Sequence, residues 1–136
     1  MRRLLALPTL AALAFLAIGA APQERHVRAD LVAVNGSGIT GTVNLVSLPQ
    51  GGTLITIQVR GLTPGAQYTS LYYDNHTCEL EPYSADDVVG SYTGSGGGTA
   101  AVSKKVDDDL DEINSVSVRN AGDFSLLSCA DVHPGG

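Results

Sequence analysis

The segment GTLITIQVRGLTPG, Gly52 to Gly65, decides the fold. Ile55, Ile57 and Val59 alternate with Thr56, Gln58 and Arg60, so apolar and polar side chains fall on opposite faces of an extended chain. β-Branched residues dominate the run, as a pleated, half-buried surface prefers. Gly61, Pro64 and Gly65 then break the chain as turn residues do. The segment reads as one strand of a two-faced sheet and its exit turn.

The same period of two extends outward on both sides. Upstream, Val27, Ala29, Leu31 and Ala33 alternate with Arg28 and Asp30, and Asn35 to Gly38 marks a turn. Ile39, Val43 and Leu45 then face away from Thr40, Thr42 and Asn44, before a break at Pro49 to Gly52. Downstream, strands are predicted over Gln67 to Tyr73, Val88 to Thr93, Thr99 to Val106, Ser115 to Arg119, and Phe124 to about Ala130. Asp74 to Asp87 reads as a long irregular loop holding Cys78, and Gly94 to Gly98 as a flexible connection. One helical turn is expected around Leu110, capped by Asp107 or Asp109. Eight short strands with turn signals between them predict an all-β sandwich or barrel. Neither a repeat nor a linker divides the chain, so residues 22–136 are expected to form a single domain.

The first residues have the layout of a secretory signal peptide, expected over residues 1–21. Arg2 and Arg3 precede an apolar run from Leu4 to Ile18, and small residues follow at Gly19 to Ala21. That run is shorter than the ~20 residues needed to span a bilayer. A secreted or periplasmic location follows, with no membrane span after signal removal. Losing both arginines takes the formal charge from −6 to −8. Such an acidic domain has no basic footprint for nucleic acid, and its electrostatically allowed partners are cationic surfaces or divalent cations. Cys78 and Cys129 are the only cysteines, and in an oxidising compartment the pair reads as a disulfide. The alternative, a pair of metal thiolates, needs further Cys or His ligands nearby.

The Gly52 to Gly65 pattern, with Gly61-Leu62-Thr63-Pro64-Gly65 at its exit, resembles the corresponding region of copper-zinc superoxide dismutases. Leu127-Ser128-Cys129-Ala130 resembles that family's closing cysteine segment, and Cys78 falls in the loop where the family has its first cysteine. The resemblance implies an eight-stranded Greek-key sandwich in which Cys78 and Cys129 tie a long loop to the last strand. It does not extend to the family's chemistry. Aligned on the turn, the two copper-binding histidines of the family are replaced by Ser70 and Tyr72, and its last copper ligand by Arg119. The loop from Glu79 to Asp87 contains no histidine for a bridging or zinc role, and Leu126 stands where the family has an anion-guiding arginine. The resemblance therefore implies a divergent member without the metal ligands, and no cofactor. The alternative is a degenerate or atypical copper-binding protein of the same type.

Three histidines occur in the chain: His26, His76 and His133. His76 with Glu79 or Glu81 is the best local seed for a transition-metal site, since imidazole and carboxylate suit such ions. Asp107 to Glu112 is dense enough in carboxylates to interest calcium, although the spacing matches no EF-hand. All five tyrosines lie between Tyr68 and Tyr92. Tyrosine offers broad area with a polar tip, so Tyr68, Ser70, Tyr72, Tyr73 and Arg119 make a candidate binding face for a protein or small-molecule partner. Asn35 and Asn75 each begin a glycosylation pattern but read as turn residues. No nucleophile elbow, zinc-protease helix or phosphate loop is present. The expectation is a non-catalytic exported domain with a binding or structural role.

Overall fold

A computed structural model describes residues 25–134, so the expected signal peptide lies outside the described residues. Eight strands follow in order: β1 (His26–Ala33), β2 (Thr40–Ser47), β3 (Thr53–Arg60), β4 (Gln67–Tyr73), β5 (Val88–Thr93), β6 (Thr99–Val106), β7 (Ser115–Asn120) and β8 (Leu126–Asp131). All pairings are antiparallel, in the spatial order β5-β4-β7-β8-β1-β2-β3-β6. β3 skips over β4 and β5 to pair with β6, and β4 skips to β7, which is Greek-key connectivity. The two outer strands, β5 and β6, face one another and nearly close the sheet into a barrel. Lys104 bridges that seam, donating from Nζ to the carbonyl oxygens of Val88 (2.9 Å) and Ala85 (3.1 Å).

The alternation read from β3 is the alternation of the fold. Ile55 and Ile57 are fully buried and Val59 nearly so, while Gln58 and Arg60 are exposed. They pack with Val43 and Leu45 of β2 and with Val116, Val118 and Ala130 from the opposite side of the barrel. Each such side chain contributes roughly 1.5–3 kcal/mol on burial. The glycines of the deciding segment have backbone reasons to be there. Gly52 and Gly61 adopt φ of 84° and 83°, and a Cβ on either would run into a carbonyl oxygen, of Val106 and Gly38 respectively.

A second, smaller cluster lies on the outer face of the β4-β7-β8 layer. Leu71, Tyr73 and Cys78 are buried there, with Val88, Phe124, Leu126 and Cys129 packed around them. The roof of this cluster is the loop of residues 74–87, pinned by the Cys78–Cys129 disulfide. Two details differ from the reading of the sequence. β8 starts at Leu126, because Phe124 sits at φ 63° in a turn whose N–H groups at Gly122 and Asp123 donate to Asn120 Oδ1. The loop also contains a 3-10 turn, Ala85–Asp87, capped by Ser84. The turn expected at Leu110 is present as a 3-10 turn, Leu110–Glu112, with Asp109 at its N-cap. The Glu112 carboxylate accepts the Asp109 N–H at 3.0 Å, and Asp109 in turn accepts the Gly52 N–H at 3.2 Å.

Candidate functional site

β4 carries four of the five residues of the expected binding face, and it is covered on both sides. Tyr68, Ser70 and Tyr72 point into the barrel. The Tyr68 hydroxyl accepts the Thr63 N–H at 2.9 Å, Ser70 Oγ lies 2.6 Å from the Tyr92 hydroxyl, and Tyr72 donates to Asp108 Oδ2 at 3.0 Å. Tyr73 points the other way, into the cluster under the disulfide loop, where its hydroxyl lies 2.8 Å from Ser117 Oγ. Arg119 is on that second side, donating from Nε to Tyr73 Oη at 2.9 Å and from Nη1 and Nη2 to the carbonyl oxygens of Phe124 and Cys78, each at 2.7 Å. Its guanidinium carbon lies 5.6 Å from the Phe124 ring centroid. All five residues are buried, with Arg119 the most accessible at 7%. They form no single exposed face, because successive side chains of β4 alternate and the disulfide loop roofs the outer ones.

The same alternation decides the fit of a copper ion. Ser70 and Tyr72 face the barrel interior, whereas Arg119 faces the layer under the loop, so the three positions implied by the resemblance cannot converge on one metal. None offers an imidazole, and the hydroxyls and guanidinium already hold protein partners. The residues present do not fit a copper site.

The other expected ligands are also drawn apart. His76 Nδ1 lies 2.8 Å from Asp131 Oδ1. Glu81 instead accepts the Asp74 N–H (2.8 Å) and the Asn75 side-chain amide (3.1 Å), and Glu79 meets Asn75 through its main chain. His133 Nε2 lies 3.0 Å from the Leu110 carbonyl oxygen. The acidic stretch is divided in the same way. Asp108 accepts from Tyr72, Asp109 from Gly52, and Asp111 pairs with Arg25 at 3.0 Å. The expectation of a divalent cation there is not met by the geometry: among the described residues no group of three or more His, Cys, Asp or Glu side chains is placed to hold a metal ion.

Folding assembles a different feature, which no spacing in the sequence announced. A cavity of about 320 Å³ opens between the disulfide loop and the β6–β7 connection, lined by Tyr72 and by the carboxylates of Asp74, Glu81, Asp87, Asp108 and Glu112. Tyr83 stands at its rim, half exposed and stacked on Phe124 with centroids 5.9 Å apart. Partial burial and the neighbouring anions Glu81, Asp108, Asp87 and Glu112 push the Asp74 carboxyl above the usual carboxylate range. Burial, then the bond to Asp108, pushes the Tyr72 phenol up as well. This arrangement can attract positive charge and exclude anions. A larger open groove of about 580 Å³ runs where β5 and β6 part, lined by neutral side chains and Arg60.

No protein-family model matches this chain, and no curated protein matches it.

Proposed function

We propose that this chain is an exported, non-catalytic β-sandwich domain of superoxide-dismutase-like type, serving a binding or structural role in the cell envelope or outside the cell. The observation that carries the reading is the division of Ser70, Tyr72 and Arg119 between opposite faces of the β4–β7 pair, each engaged in hydrogen bonds to its own surroundings. A redox metal needs several lone-pair donors aimed at one point, and these three side chains are not aimed at one. The disulfide supports export, since such bonds persist in oxidising compartments. The acidic composition favours a partner with a cationic surface. Two measurements test the proposal together. Fractionation of cells producing the full chain is expected to find it outside the cytoplasm, with mass spectrometry showing a mature N-terminus near residue 22. A superoxide-dismutation assay after incubation with copper and zinc is expected to give the rate of buffer with the same free metal. Cytoplasmic retention contradicts the exported reading, and protein-dependent dismutation contradicts the non-catalytic one.

A further inference from the structure

The disulfide loop meets β8 at two points that share one register. Cys78 is bonded to Cys129, and two residues earlier His76 places Nδ1 2.8 Å from Oδ1 of Asp131, two residues further along the strand. Over these three residues the loop runs antiparallel to the strand, held by one covalent tie and one polar tie. The two ties differ in access. Cys78 is fully buried, whereas the His76 and Asp131 side chains are 33% and 39% exposed. Solvent protons therefore reach the second tie.

The surroundings leave His76 with one charged partner. Asp131 Oδ1 also accepts the His133 N–H at 3.2 Å, which orients the carboxylate independently of the imidazole. The His133 ring is turned to the Leu110 carbonyl, and Arg25 is taken by Asp111. On the loop itself, Glu81 binds the Asp74 N–H and the Asn75 amide, and Glu79 meets Asn75 only through its main chain. Next to His76, the carbonyl of Asn75 accepts from Ser115 Oγ at 2.6 Å, and the Cys78 N–H donates to the same Ser115 Oγ at 3.2 Å. Whatever loosens His76 acts directly on those two bonds.

We infer that the His76–Asp131 pair is a proton-operated second clasp on the disulfide loop. An imidazole gains and loses its proton between about pH 5 and 8. Protonated, His76 closes a charge-assisted bond to Asp131, stronger than the neutral one. It then holds the loop, and with it the Glu81 wall of the acidic cavity, against β8. Deprotonated, it leaves the Cys78–Cys129 bond to hold the loop with a weaker polar contact beside it.

Amide hydrogen exchange of Cys78 and Glu79 tests the clasp, comparing the native disulfide-bonded protein with His76→Gln at about pH 5.5 and about pH 8. The ratio of variant to native rate at each pH cancels the intrinsic pH dependence of exchange. The clasp predicts about two- to fivefold faster loop exchange in the variant at the lower pH, the range set by partly exposed ion pairs, and equal rates at the higher pH. β3 amides serve as the control and are expected to match throughout. A ratio that is the same at both pH values overturns the inference. If His76→Gln perturbs the β3 amides, Asp131→Asn replaces it in the same comparison. Loop exchange faster than native only at the lower pH then supports the clasp, and a ratio that is the same at both pH values overturns it.

Discussion

Arg119 donates from Nη2 to the carbonyl oxygen of Cys78 across 2.7 Å, joining a buried cation of β7 to the half-cystine that anchors the disulfide loop. Nη1 reaches the Phe124 carbonyl at the same distance, and both acceptor residues hold positive φ, 58° at Cys78 and 63° at Phe124. One side chain thus ties two backbone corners, one carbonyl buried and the other part-buried. Arg119→Met is predicted to destabilise the fold by about 2–4 kcal/mol, the cost of removing the donor to the buried Cys78 carbonyl and to the part-buried Phe124 carbonyl, while the Tyr73 hydroxyl keeps Ser117. Arg119→Lys should recover less than half of the loss, because an ammonium lacks the fork that spans both carbonyls. Urea unfolding at fixed pH checks both.

Two tyrosines govern the alkaline limit of stability. Burial pushes the Tyr92 phenol up to about 12, against the bond from Ser70, and burial also raises Tyr72. A phenol whose value is raised on folding binds its proton more tightly in the native state. Its contribution is complete below the ordinary tyrosine value of about 10 and is lost as pH rises through the folded value. Stability is therefore expected to fall between about pH 10 and 12 more steeply in the native chain than in Tyr92→Phe, which lacks that proton. Denaturation midpoints at stepped alkaline pH give the comparison.

The Cys78–Cys129 bond closes a loop with a sequence separation of 51. Chain-entropy reasoning puts the stabilisation at about 4 kcal/mol. The Cys78→Ala/Cys129→Ala double variant is predicted to lose up to that much, with the loss measured by urea unfolding. Hydrogen exchange should find the first openings in residues 74–87, because that loop packs on the small outer cluster and not on the main core.

Asp74 sits among like charges on the cavity wall, and its carboxyl is raised, first by desolvation and then by Glu81 and its other neighbours. A raised carboxyl contributes stability at acid pH that disappears as pH rises through its folded value. At neutral pH Asp74→Asn should accordingly stabilise the protein. Solvent screening holds the gain below about 1 kcal/mol, and the gain should shrink further in high salt. Thermal unfolding at two ionic strengths measures it.

The sandwich was legible because β1, β2 and β3 are each polar on one side, so alternation marks both the strand and its core face. β5 and β6 likewise begin and end where the turn residues predict. β4 was legible as a strand but not as to its surroundings. Its sequence QYTSLYY is aromatic or apolar on both faces, and both faces are buried, one by the barrel and one by the disulfide loop. A binding face read from its tyrosines was therefore a core contact and a roofed cluster. The acidic cavity was hidden for a different reason. Asp74, Glu81 and Asp87 belong to the disulfide loop and Asp108 and Glu112 to the β6–β7 connection, and only the path of that loop brings the two segments together. Acidic composition hinted at such a feature without placing it.

Calorimetric titration of copper into the disulfide-bonded protein decides whether this sandwich holds a redox metal. No stoichiometric binding is expected below micromolar dissociation constants, because Ser70 and Tyr72 face a different layer from Arg119 and all three hold other partners. One copper bound per chain with submicromolar affinity would contradict it, and would mean that donors other than these three assemble a metal centre on this sandwich.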